Sequence, residues 1–224
     1  MSVAMIWGSP GSGKTVAATA PKKEKIKLLC SDNSAVVLNM FDRKNVEVER
    51  VEHWLKPEGG GTYFTQQFET ALASGKYTLI VVDNLTDIKE MALLDIEEQG
   101  KIKDIRQVYQ AVYQAIKRLT RMAANAKCHV TFTAWDDGEE ITKSDGTLAL
   151  RQQPNLPPKI RPQVIGLCNI VGQMAKAKDK NGVMHWFLIT EDSETRYGCK
   201  DQLYGRKSIM PENLFEAPEV KRES

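Results

Sequence analysis

"AMIWGSPGSGKTVAAT", residues 4–19, decides how the rest of the chain is read. Gly8, Ser9, Pro10, Gly11, Ser12, Gly13, Lys14 and Thr15 match G-x-x-x-x-G-K-[ST] at every fixed position. The apolar run "SVAMIW" (2–7) in front of them reads as a strand, and the residues from about Lys14 onward read as a helix. Glycines let successive backbone N–H groups turn inward around phosphate oxygens, and a helix start adds the positive end of its dipole. Lys14 is placed to reach the β- and γ-phosphates, and the Thr15 hydroxyl to ligate Mg²⁺. These eight residues predict a loop that holds ATP with Mg²⁺.

Such a loop works with an acidic residue at the tip of a buried neighbouring strand. "YTLIVVD" (77–83) is almost wholly apolar, as expected of a strand covered on both faces, and ends in Asp83. Two readings of Asp83 compete: Mg²⁺ coordination through water, and a cap on the helix that starts near Leu85. The residue after it is Asn84 rather than glutamate, so a water-activating carboxylate has to come from elsewhere.

Further out, strand patterns alternate with helical ones. This is the signature of an α/β fold, with a mostly parallel central sheet flanked by helices. "IKLLC" (26–30), "VEVERV" (46–51) and "CHVTFTAW" (128–135) read as further strands. Helical spacing covers 62–74, 85–98 and about 106–126, the last with Val108, Val112, Ile116 and Leu119 on one face. Beyond residue 135 the pattern becomes one of antiparallel hairpins, turning at Asp145-Gly146 and Asn181-Gly182. The proline-rich stretch 153–162 between them reads as a loop. Residues 1–210 are expected to form one domain and residues 211–224 a polar tail.

Composition narrows the class without naming a partner. The 224 residues are 42% hydrophobic and 27% charged with a net charge of +2, ordinary for a globular protein. No apolar run approaches the roughly 18 residues of a membrane span, and no secretion signal opens the chain. Cys30, Cys128, Cys168 and Cys199 lack metal-binding or disulfide-framework spacing, so a cytoplasmic protein with buried thiols is expected.

The loop at the N-terminus, "LIVVDNLTD", "HVTFTAW" and a late "RYGCKDQ" together resemble the RecA-like P-loop ATPases. More narrowly, they resemble the phage nucleotide-binding proteins of the single-strand annealing type. The resemblance spans roughly residues 1–206. It implies a carboxylate after the second strand that orients the attacking water, for which Asp32 is the match; a turn or cap role is its other reading, with Glu49 and Glu52 as fallbacks. It implies a polar γ-phosphate sensor, matched by Thr133, which is equally good as β packing. It also implies a lysine reaching the neighbouring subunit's nucleotide, matched by Lys200. Gln202 stands where an arginine is usual, so Arg206 is a substitute, and Lys178 and Lys180 compete.

The same resemblance implies two DNA-binding loops. The first carries Lys101, Lys103 and Arg106; the second carries Lys143, Arg151, Lys159 and Arg161 after an acidic start. A merely solvated basic loop is the alternative for both. The expected activity is Mg²⁺-dependent ATP hydrolysis on single-stranded DNA in phage recombination or replication. The expected partners are further copies of the chain and a single-strand-binding protein. A small-molecule kinase, with 136–161 as its lid, and a nucleotide-binding regulator with little turnover are the alternatives.

Overall fold

A computed structural model describes residues 1–55, 63–100 and 104–218. Strands β1 (Val3–Trp7), β2 (Ile26–Cys30), β3 (Val46–Arg50), β4 (Leu79–Asp83) and β5 (His129–Ala134) fall where the apolar runs predict them. Helices α1 (Lys14–Ala18), α2 (Phe64–Ala73), α3 (Leu85–Glu98) and α4 (Ile105–Ala124) alternate with them. A two-stranded ribbon follows, β6 (Asp136–Thr142) and β7 (Leu148–Pro154), then α5 (Arg161–Leu167). The chain ends with β8 (Ile170–Lys178), β9 (Met184–Ile189), β10 (Lys200–Asp201) and β11 (Ser208–Ile209).

The main sheet runs β11-β9-β8-β1-β5-β4-β2-β3, with β10 also paired to β8. From β8 to β3 every neighbouring pair is parallel, so these strands end on the same side. The loops after β1, β2, β4 and β5 therefore converge on one edge, where parallel sheets bind ligands. β9, β10 and β11 add antiparallel strands at the far side.

Burial on both faces accounts for the largely apolar runs of β1, β2 and β4, all of whose residues are buried, with Lys27 paired to Glu47 and Glu49. Met5, Trp7, Val82 and Phe132 pack against α2–α4 through Phe64, Phe68, Ile88, Val112 and Ile116. Ala4, Ile6, Leu28 and Val81 face the other way, onto Ala17, Leu38, Leu188 and Leu214. Burying each large apolar side chain contributes about 1.5–3 kcal/mol. The four cysteines are all buried and unpaired. No helix among the described residues is long and apolar enough to cross a membrane.

Two segments depart from expectation. The stretch taken as a proline-rich loop holds the start of α5, because Pro162 sits in its first turn, where a missing N–H costs nothing. The segment expected as a polar tail is docked through Glu216. Arg206 donates to the carbonyls of Asn213, Leu214 and Glu216 while paired with Asp201 at 2.6 Å, and Leu214 is fully buried.

Phe215 completes this clamp by stacking on His129, ring centroids 4.0 Å apart, while His129 Nδ1 accepts the Ser2 N–H. Burial pushes the His129 pKa below the ordinary 6.5, with the N-terminal amine acting the same way and Glu24 opposing. On acidification the unfolded chain takes up the proton first, so stability is full above pH 6.5 and falls through and below it. Melting temperatures measured from about pH 7.5 to about pH 5.5 should decline, and the slope should flatten in His129→Phe. An equal slope in the two proteins would refute this.

Candidate nucleotide-binding site

The loop after β1 turns tightly because Gly11 and Gly13 take left-handed conformations, at φ 73° and 93°, that side chains rarely adopt. Lys14 Nζ folds back to donate to Gly8 O at 2.8 Å and Ser9 O at 2.9 Å. Burial lowers its pKa, and the carboxylates of Asp83, Asp136 and Asp32 oppose that shift. The Ser12 hydroxyl is buried without a hydrogen-bond partner inside the same loop. A loop of inward-facing polar groups with a buried cation and an orphaned hydroxyl is a cradle for an anion.

Asp83 is the hub of the site. Its Oδ2 accepts from Thr15 Oγ1 at 2.6 Å and from Ser34 Oγ at 2.8 Å, and its Oδ1 accepts from Thr133 Oγ1. The loop, the turn after β2, and strand β5 are thus tied to one buried carboxylate. The α3 cap is instead Asn84, whose side chain accepts from Asp87 N at 2.8 Å. A cavity of about 370 Å³ beside the loop is lined by Gly11, Gly13, Lys14, Thr15, Asp32 and Asp83 among others. ATP and Mg²⁺ fit this donor set: backbone amides and Lys14 for phosphate, Thr15 and Asp83 for a hard cation that prefers oxygen.

Asp32 lines the cavity and also holds its own turn, with Oδ1 accepting from Ser34 N at 2.7 Å. Its Oδ2 has no donor among the described residues. Glu49 is paired with Lys27 at 3.1 Å and Glu52 with Arg50 at 3.8 Å; neither lines the cavity. Lys200 pairs in register with Val171, level with Met5 rather than with the loop, and does not line the cavity of its own chain. Arg206 is committed to the C-terminal clamp, so it is not a free substitute for the arginine that Gln202 replaces.

The basic residues divide. Lys101 and Lys103 lie outside the described residues. Arg106 is exposed and forks onto Asp104 beside it, and Lys159 is exposed on the segment before α5. Lys143 is half-buried near the ribbon turn, and Arg151 donates to Glu194 O at 3.1 Å. Arg161 is 8% exposed and donates to Leu156 O at 2.9 Å, with Asp137 3.9 Å away. In this geometry it braces the start of α5 rather than standing free on the loop.

Sequence reasoning missed three neighbours of the loop. Ser34 joins Asp83 from the turn after β2, and Asp136 accepts from Ser9 Oγ at 2.7 Å. Trp186 of β9 lies against Gly13, its Cδ1 3.6 Å from where a Cβ would stand. Asp136 could have been found from its place just past the β5 strand; the other two carry no local signal.

The profile of the family described as AAA domain matches residues 2–201, nearly the whole described core. The chain belongs to the AAA-domain family. No curated protein sequence matches it. Among solved structures, this AAA domain is similar to a flagellar accessory protein of Methanocaldococcus jannaschii, at 9% identity and TM-score 0.46 over 92% of this chain and 83% of that one. It is also similar to a KaiC-like protein of Pyrococcus horikoshii, at 10% identity and TM-score 0.48 over 87% and 81%. A third is the P4 protein of bacteriophage phi6 in complex with ADP, at 10% identity and TM-score 0.39 over 83% and 57%. The family match and the loop geometry together give this AAA domain a P-loop nucleotide-binding site at the edge where its parallel strands end.

Proposed function

We propose that this AAA domain hydrolyses ATP with Mg²⁺ and that turnover is coupled to single-stranded DNA. The observation that carries the hydrolytic part is the convergence of Lys14, Thr15 and Thr133 on the surroundings of Asp83. Bound Mg²⁺ and ATP would supply charge neutralisation and a phosphoryl group open to in-line attack by water. Lys14 trades two neutral carbonyl acceptors for anionic oxygens, which strengthens its hydrogen bonds. Thr15 and Asp83 would hold the metal, and Asp32, with its Oδ2 uncommitted, would orient the attacking water. Thr133 links the strand that feeds the β6–β7 ribbon to the same carboxylate, so occupancy of the site can be felt beyond it.

Exposed cations support the DNA part. Arg106 and Lys159 stand on the segments where the resemblance expects the two loops, joined in sequence by Lys101 and Lys103. The ribbon is a weaker phosphate contact, with five acidic residues against Lys143 and Arg151 over 136–154. Self-association would repeat these few charges around a ring or short filament. The resemblance to annealing-type proteins supports a place in phage recombination or replication, beside a single-strand-binding protein.

The test is ATP hydrolysis with and without single-stranded DNA, at low and moderate salt. Turnover that rises with DNA, and loses the rise as salt increases, is the expected result. Turnover indifferent to DNA would remove the DNA part. Phosphoryl transfer to a small acceptor would favour a kinase, and tight nucleotide retention without turnover a regulator.

A further inference from the structure

Two surfaces outside the nucleotide site complement each other. The first is a cleft of about 810 Å³ between α2, α4 and α5. Leu72, Met122 and Ala126 give it an apolar lining, while Lys117, Arg118, Arg121 and Lys127 surround it with positive charge. Glu69 is the acid among its lining residues, 3.8 Å from Arg118.

The second is the β6–β7 ribbon, which forms its own two-stranded sheet. An isolated two-stranded ribbon is marginal in water unless an apolar face is covered. Here Leu148 and Leu150 share one face and are 81% and 54% exposed. Glu140 stands directly across from Leu150, and Gly138 leaves the space that the Leu150 side chain occupies. Glu139 and Asp145 add exposed negative charge.

The ribbon does not fill the cleft of its own chain. It leaves from the Ala134 end of β5, whereas the cleft includes Lys127, just before the opposite end. The six residues of β5 span about 20 Å between those two ends, and no ribbon residue lines the cleft. From this complementarity we infer that the acidic, leucine-bearing β6–β7 ribbon of one copy docks in the basic α2–α4–α5 cleft of the next. The contact is heterologous, joining different surfaces of identical chains, so it generates a ring or a filament. The inference deepens the self-association proposed above by naming its two surfaces.

Sedimentation velocity of the full chain tests it, in about 0.1 M and about 1 M salt, where the screening lengths are about 10 Å and 3 Å. The wild-type chain should associate, less so at high salt. Arg118→Glu with Arg121→Glu, and separately Glu139→Lys with Glu140→Lys, should each weaken association about tenfold or more. Mixing the two double variants, or combining all four changes in one chain, should restore it, which a merely misfolded variant would not do. A monomeric wild-type chain, unchanged association in either double variant, or failure of the reversed pair to rescue would overturn the inference. So would loss of retention of a fluorescent oligonucleotide in Arg118→Glu with Arg121→Glu at unchanged mass, which would make the cleft a nucleic-acid surface. Mass is read independently of hydrolysis, so failure of the ATPase reading would leave this result standing.

Discussion

Replacing Lys14 with alanine is expected to lower ATP turnover by about 10²–10³-fold while leaving the fold intact, because it removes a preorganised cation from the transferring phosphoryl group. The fold survives because Lys14 makes no contact that the core requires. Its Nζ donates only to the carbonyls of Gly8 and Ser9, within its own loop, and Lys14 itself lines the cavity. Its burial also opposes its charge, so removing it relieves a desolvation cost. Turnover assays beside binding of a fluorescent ATP analogue, with circular dichroism as the folding control, check this. Unchanged turnover in a folded Lys14→Ala protein would refute the assignment of the loop.

Asp83→Ala is expected to abolish Mg²⁺-dependent turnover and, unlike Lys14→Ala, to destabilise the protein. Three hydroxyls lose their common acceptor at once, those of Thr15, Ser34 and Thr133. Leaving a buried donor unsatisfied costs about 1–3 kcal/mol, and rotation of the hydroxyls toward other acceptors keeps the total near that range. Asp83→Asn separates the two effects. It preserves shape and an acceptor oxygen, so melting in EDTA should stay close to wild type while Mg²⁺-dependent turnover is still lost. A variant Asp83→Asn with wild-type magnesium dependence would move the metal away from this residue.

Much of this architecture is legible in the chain because it depends on short-range patterns. A strand buried on both faces is apolar nearly throughout, which marks β1, β2 and β4 within a few residues. The stripe of Val108, Val112, Ile116 and Leu119 marks α4 because these apolar residues recur at helical period on its buried face. The glycines of the loop are legible because left-handed backbone at Gly11 and Gly13 excludes other residues. The start of α5 escaped notice because prolines at a helix start look like those of a loop. The docking of the chain end was equally hidden, resting on Arg206 reaching carbonyls seven to ten residues away.

Taken by itself, the amino-acid sequence determined the phosphate loop, the parallel α/β core and the carboxylate at Asp83, since each follows from local spacing and periodicity. Only the tertiary structure decided what surrounds that carboxylate. Ser34 and Thr133 reach it across 49 and 50 residues of chain, and Asp136 reaches Ser9 across 127. It also turned Arg161 and Arg206 from candidate ligand contacts into braces, and set a basic cleft and an acidic ribbon at opposite ends of β5. The reason is physical: periodicity reports which face of an element is buried, whereas the partner of a polar side chain depends on which strands pair and in what register.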